Sequence, residues 1–198
     1  MPGTFSQIYI QVVFAVKSRE NLIQHSWEEE LYKYISGIVR NKEQKMLAIN
    51  GMPDHIHFLI GMKPSCCLSD LVREVKKSSN EFINEKQFLK HKFYWQEGYG
   101  AFSYSHSALD NVIGYINNQN EHHKKQSFRE EYTEFLNKFR IEFKDEYLFE
   151  WIEWNDPKGV QMFIARKKVN ISYDPDGVAH DWRHLFSINI ISLWDKLQ

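Results

Sequence analysis

Gly51-Met-Pro-Asp is a turn signal set between two strand-like runs, residues 45–50 and 55–62, and this pair of strands anchors the reading of the whole chain. A helix-like segment lies on each side of it. Ser26 is an N-cap candidate, and Leu31, Tyr34, Ile35, Ile38 and Val39 follow at helical spacing to about residue 42. Ser69 opens a second helix, whose buried face is marked by Leu71, Val72, Val75, Ser79, Phe82 and Ile83. Residues 5–16 read as a strand bounded by Gly3 and Lys17-Ser-Arg-Glu. Residues 93–104 read as a fourth strand, interrupted by Gly98 and Gly100. The order β-α-β-β-α-β is the split βαβ, ferredoxin-like order, which predicts an α+β domain on an antiparallel sheet. A further helix over 107–125 follows the last strand. Another covers 127–138, with Phe128, Tyr132, Phe135 and Leu136 at helical spacing.

Side chains alternate along a strand, so His55 and His57 point the same way. They are either ordinary strand histidines or a pair that shares a divalent metal. Asp54 beside them suits a Pro-Asp turn as well as the orienting of an imidazole. Ser107 and Asp110 resemble a capping box at the start of the helix over 107–125. Leu109, Val112, Ile113 and Ile116 give that helix an apolar face. Tyr115 and Gln119 lie four apart and share a face. Tyr115 offers a phenolic nucleophile and Gln119 an amide oxygen for a metal or a phosphate; the structural alternative is a core aromatic and a solvated amide. His123, four residues beyond Gln119, either reaches the same metal or phosphate or serves as a helix-end histidine. Gly114, which costs a helix about 1 kcal/mol relative to Ala, leaves room for a phosphate or for close packing.

Composition narrows the function classes. Cys66 and Cys67 are the only cysteines, and as neighbours they are poorly placed to pair, so there is no disulfide framework. No further cysteine accompanies the histidines, which argues against a structural zinc finger. No apolar run approaches the roughly 20 residues that span a bilayer, and no signal-peptide pattern opens the chain. The expectation is a cytoplasmic protein without a membrane partner. Net charge is −1, with 15 basic against 13 acidic residues over 1–125 and 10 against 13 over 126–198. Any contact with nucleic acid must therefore come from local patches. Arg73, Lys76 and Lys77 on the second helix are candidates for backbone-phosphate contact or a solvated helix face. Tyr94, Trp95, Tyr99, Phe102 and Tyr104 offer stacking surfaces, about half of them turned to the core by strand alternation.

Together, His55-Ile-His57 and a later helix carrying Tyr115-x-x-x-Gln119 resemble the HUH single-tyrosine transposases of small insertion sequences, the IS200-like type, and their REP-associated relatives. Residues 5–14 resemble that family's first strand, and Asn50-Gly-Met-Pro-Asp-His-Ile-His its signature strand. Trp95-Gln-Glu-Gly-Tyr-Gly-Ala-Phe-Ser resembles the strand before the tyrosine helix. Tyr115-Ile-Asn-Asn-Gln-Asn-Glu-His-His, then Ser127-Phe-Arg-Glu-Glu-Tyr, resembles that helix and its sequel. The resemblance implies a ferredoxin-like split βαβ domain over 1–150, with a C-terminal helix carrying the tyrosine. It implies a metal-dependent transposase that cleaves and rejoins single-stranded DNA through a 5′-phosphotyrosine at Tyr115. Mg²⁺ or Mn²⁺ would be held by His55, His57 and Gln119. It also implies hairpin-bearing element ends as substrate and a homodimer whose active sites are completed across subunits. The competing expectation is a ferredoxin-like nucleic-acid-binding module, or an inactive relic without strand cleavage.

Residues 151–198 are an extension of unknown role that matches nothing in the family pattern. Asn155-Asp-Pro-Lys-Gly and Tyr173-Asp-Pro-Asp-Gly are turn signals there. Residues 160–164 are a strand candidate, and 188–197 a strand or short helix. Trp151, Trp154, Trp182 and Trp194 argue against full disorder.

Overall fold

The computed structural model describes residues 5–144 and 148. The expectations for 151–198, and the boundary drawn at 150, lie outside the described residues.

Four strands, β1 (Tyr9–Ala15), β2 (Lys45–Met52), β3 (His55–Gly61) and β4 (Gly100–Tyr104), form one sheet in the order β2-β3-β1-β4. Every neighbouring pair is antiparallel. Helix α1 (Glu28–Asn41) links β1 to β2, and α2 (Leu68–Glu85) links β3 to β4. This is the predicted split βαβ order. After β4 come α3 (Leu109–Asn117), α4 (Gln119–His122) and α5 (Phe128–Lys138). No helix among the described residues is long and apolar enough to cross a membrane.

Strand alternation assigns the two faces of the sheet. Val12 and Phe14 of β1 with Ile56, Phe58 and Ile60 of β3 pack against Leu31, Ile35 and Val39 of α1 and Leu71, Val72 and Val75 of α2. On the other face, Val13, Ala15 and Phe102 meet Phe128, Tyr132, Phe135 and Leu136 of α5. Ala48 and Leu59 meet Val112 and Ile116 of α3. Each Val, Leu, Ile or Phe among them, when fully buried, contributes roughly 1.5–3 kcal/mol. The central strands are consequently apolar on both sides, and the few polar residues that they bury stand out.

Element ends differ from the sequence reading in instructive ways. Helix α1 starts after Trp27 without a side-chain cap, and Glu28, Glu29 and Glu30 place negative charge by its free N–H groups instead. Helix α2 starts behind Cys67, one residue before Ser69. The fourth strand is much shorter than residues 93–104. Lys76 Nζ donates to the Gln96 and Gly98 carbonyls (2.5 and 2.8 Å), and Gly98 adopts a φ of 76° that breaks the extended run. Of the segment before the break, an isolated bridge between Trp95 and Val16 persists. The Trp95 indole N–H donates to Ser79 Oγ at 2.9 Å, which explains a serine on the apolar face of α2. At the β2–β3 turn, a Cβ on Gly51 would sit 2.3 Å from the His55 carbonyl oxygen. Only glycine permits so tight an approach immediately ahead of the histidine pair.

Candidate active site and metal centre

His55 and His57 project from β3 toward the α3–α5 side of the sheet, and both are buried. Their ring centroids are 5.0 Å apart. Each imidazole has one nitrogen engaged by a neighbour. His55 Nδ1 donates to Asp54 Oδ1 at 2.6 Å, since a carboxylate can only accept. Asp54 also serves the turn, its carbonyl accepting from Val16 N. His57 Nδ1 lies 3.0 Å from the Gln11 amide, which Tyr104 OH joins at 2.8 Å. Gln11 Nε2 donates to His57 Nδ1 while Gln11 Oε1 accepts from Tyr104 OH, which leaves the His57 proton on Nε2; metal binding through Nε2 would displace that proton.

The loop after α4 brings in a third imidazole. His123 Nδ1 donates to the Gln126 carbonyl at 3.0 Å, so its Nε2 also presents an electron pair. That Nε2 lies 3.1 Å from His55 Nε2 and 3.1 Å from Gln119 Oε1. From α5 comes Glu131, 2% exposed. Its Oε2 stands 3.3 Å from His123 Nε2, 3.4 Å from His57 Nε2 and 3.7 Å from His55 Nε2. Neither Glu131 Oε2 nor His57 Nε2 has a hydrogen-bond partner.

The electron pairs of His55 Nε2, His123 Nε2 and Gln119 Oε1 face one another, and a cation among them would satisfy all three. Protonation of the histidines is an expensive way to supply one. Burial lowers His55 to about 3, partly offset by Asp54, and lowers His123 to about 4. Neutral imidazole is the form that binds metals. The ligand atoms of His55, His57, His123 and Glu131 all lie within 4.8 Å of one another. A tetrahedron with bonds of about 2.1 Å has edges of about 3.4 Å, close to the separations above. The donor set therefore fits a divalent metal ion.

Tyr115 projects from α3 into the same cluster. Its hydroxyl donates to Glu131 Oε1, which Gln119 Nε2 also approaches at 3.3 Å. His122, whose ring stands 4.9 Å from that of Tyr115, is lowered in pKa by burial. A cleft of about 620 Å³ opens beside Tyr115, lined in part by Gln11, Tyr104, Asn111, Lys138 and Phe139. It gives an extended substrate a way to the phenol.

Several site expectations need revising in detail. The helix expected over 107–125 is broken: a 3₁₀ turn at His106–Ala108 precedes α3, and Asn118 (φ −101°, ψ 24°) separates α3 from α4. Asn50 Nδ2 bonds the Asn117 carbonyl at 3.0 Å and pins this break to β2. Tyr115 and Gln119 thus sit on successive helices, yet converge on one carboxylate. Ser107 and Asp110 form no capping box at α3; the one observed joins Ser127 and Glu130 at α5. A Cβ at Gly114 would meet nothing within 4 Å, so close packing is not its reason.

Arg73, Lys76 and Lys77 lie on α2, across the sheet from the histidines. Arg73 pairs with Asp70 at 2.5 Å, Lys76 is tied to the Gln96–Gly98 loop, and Lys77 is exposed. Burial lowers Lys76 to about 8. Of the aromatic candidates, Trp95 and Phe102 are core residues and Tyr94 is exposed.

Glu131 is the site residue that the sequence reading passed over. It falls between Phe128, Tyr132 and Phe135 on the buried stripe of α5, and a carboxylate on an apolar stripe was the available signal.

Known proteins match a little over half of this chain. The family described as "Transposase IS200 like" matches residues 4–119, which include His55, His57, Tyr115 and Gln119. The ISDra2 transposase TnpA of Deinococcus radiodurans is 23% identical over 125 residues, covering 60% of this chain and 89% of that protein. A crystal structure of a Deinococcus radiodurans protein assigned as a transposase superposes with a TM-score of 0.50 at 22% identity, covering 60% of this chain and 95% of that one. A REP-associated tyrosine transposase, solved bound to a REP hairpin, superposes with a TM-score of 0.48 at 16% identity, covering 62% and 73%.

Proposed function

The chain belongs to the IS200-like transposase family, which matches more than half of its length, and from that premise we propose that it cleaves and rejoins single-stranded DNA through a phosphotyrosine at Tyr115. The observation that carries the proposal is the meeting of a phenol with three imidazoles, an amide and a carboxylate in one pocket. His55, His57 and the buried Gln119, with His123 3.1 Å from the Gln119 amide oxygen, would hold Mg²⁺ or Mn²⁺. Bound there, a divalent ion would supply Lewis-acid polarisation of a non-bridging phosphate oxygen and would offset transition-state charge.

The remaining steps belong to the chain's own groups. Asp54 and Gln11 orient the two imidazoles through their Nδ1 atoms. The Tyr115 oxygen attacks phosphorus in line. A Tyr–O–P bond forms, the P–O3′ bond breaks, and the departing oxygen takes up a proton to become a 3′-OH. The phosphodiester count is unchanged, so a later 3′-OH reverses the step without ATP. A phenol titrates near 10 in water, so the step needs positive potential at the site. The substrate is read as single-stranded DNA with hairpin-bearing ends. The assembly is read as a homodimer; the resemblance implies active sites completed across subunits, but the Tyr115 hydroxyl already lies beside the histidines of its own chain, and we propose that each tyrosine acts there.

The test is incubation with single-stranded DNA carrying the flanking ends of its own gene, with Mn²⁺ or Mg²⁺, followed by denaturing electrophoresis. The expected result is a metal-dependent protein–DNA adduct, mapped to Tyr115 by mass spectrometry and absent from Tyr115→Phe. Tight binding with no adduct would overturn the reading in favour of a binding module or an inactive relic.

A further inference from the structure

We infer that Glu131 works as a bridge, binding the divalent cation through Oε2 while positioning the Tyr115 nucleophile through Oε1. The inference rests on the proposed metal site and adds to it a residue from outside the segment that the family match covers, which ends at 119.

A carboxylate taken out of water costs several kcal/mol unless it is fully partnered. Glu131 is almost completely buried on the apolar face of α5, and among the described residues its ion-pair partners are all histidines, His55, His57, His122 and His123. Its two oxygens have different surroundings. Oε1 accepts from the Tyr115 hydroxyl and is approached by Gln119 Nε2. Oε2 accepts from nothing and faces three imidazole Nε2 atoms at 3.3–3.7 Å. Two of those atoms, on His55 and His123, belong to rings whose Nδ1 already donates elsewhere. A cation amid these four atoms gives Oε2 the partner that it lacks. The same carboxylate keeps its grip on the phenol, because the two functions use opposite oxygens.

The local structure supports this use. Ser127 and Glu130 form a reciprocal capping box that fixes the first turn of α5, one residue before Glu131. Phe128 stacks on His55 with ring centroids 4.0 Å apart, seating that turn directly over the histidine pair. The ligand chemistry follows. Three imidazoles and one carboxylate favour a first-row transition ion such as Mn²⁺ over Mg²⁺, which prefers oxygen donors and retained water.

The experiment is calorimetric titration of the full chain with MnCl₂ and with MgCl₂, comparing wild type, Glu131→Gln, Glu134→Gln and His57→Ala. Expected is one Mn²⁺ per chain, bound more tightly than Mg²⁺. Mn²⁺ affinity should fall about tenfold or more in Glu131→Gln and stay unchanged in Glu134→Gln, one turn further along α5. Glu131→Gln removes a buried charge, so circular dichroism should report an intact fold. The second readout is ¹⁹F NMR of protein carrying 3-fluorotyrosine, with the Tyr115 resonance assigned by its loss in Tyr115→Phe. Diamagnetic Zn²⁺ should shift that resonance in wild type and leave it in place in Glu131→Gln. Wild-type Mn²⁺ affinity in Glu131→Gln, with binding lost in His57→Ala, would overturn the bridge and leave the metal site standing. An unchanged fluorine shift would overturn the positioning role. No Mn²⁺ uptake by wild type would overturn the site and the bridge together.

Discussion

Burial keeps His55 and His123 neutral, and that has a signature in pH. In the unfolded chain both imidazoles take up protons as pH falls through about 6.5. In the folded chain they resist, His123 to about 4 and His55 to about 3. Between these limits the unfolded state binds more protons, so stability rises with pH through the window and is lost as pH falls through it. We expect the melting temperature of chelator-treated protein to drop by on the order of 5 °C between about pH 7.5 and about pH 5. A melting profile flat across that window would mean that the two rings titrate as they do in water. At this scale the histidine pair of β3 was legible because alternation is a local rule. His123 was visible as a candidate, but its partners are set by a loop carbonyl at Gln126 and by α5. Glu131 depends on how a helix twelve residues beyond Gln119 docks, which no period in the sequence encodes.

Among elements, α3 invites the sharpest test. Gly114 lies mid-helix, beside Tyr115, with open space where a Cβ would go. Gly114→Ala should therefore stabilise the fold by up to about 1 kcal/mol in urea titration. If that space receives the substrate phosphate, the same variant loses adduct formation while gaining stability. Equal gains in both would make the glycine a neutral helix fault. The elements that the sequence misplaced share a cause. Residues 93–99 have strand-like composition, but Lys76 occupies the loop carbonyls from the neighbouring helix. The helix over 107–125 keeps its period through Asn118, but Asn50 captures the Asn117 carbonyl at the break. Both departures come from side chains distant in sequence. The capping signal was read at Ser107, while the reciprocal pair formed at Ser127 and Glu130, which carry the more complete motif.

For the whole molecule, the sheet separates two environments. The face under α1 and α2 is a conventional apolar core, and it carries the basic residues of α2 on its outer side. The face under α3, α4 and α5 holds every group of the proposed chemistry. A single chain therefore brings Tyr115 to its own histidine pair, and mixing two inactive variants tests whether it acts there. His57→Ala and Tyr115→Phe, purified separately and combined under conditions that permit subunit exchange, should remain without adduct. A covalent product from the mixture would show that tyrosine helices cross between protomers. The element order and the sheet were legible because each depends on local periodicity and turn chemistry. The side of the sheet on which the last three helices close was not.

The hydroxyl that Tyr115 offers to Glu131 holds the only proton a phenol has. Once the oxygen is esterified to phosphorus, that proton is gone, and the carboxylate confronts an anionic diester instead of a donor. In the proposed reaction, a contact that helps tie α3 to α5 would thus become a repulsion. On the proposed mechanism, the folded chain would carry a built-in record of whether a strand is attached. Resealing the DNA would restore the proton, the contact and the starting arrangement in one event, returning the molecule to a state ready for another strand.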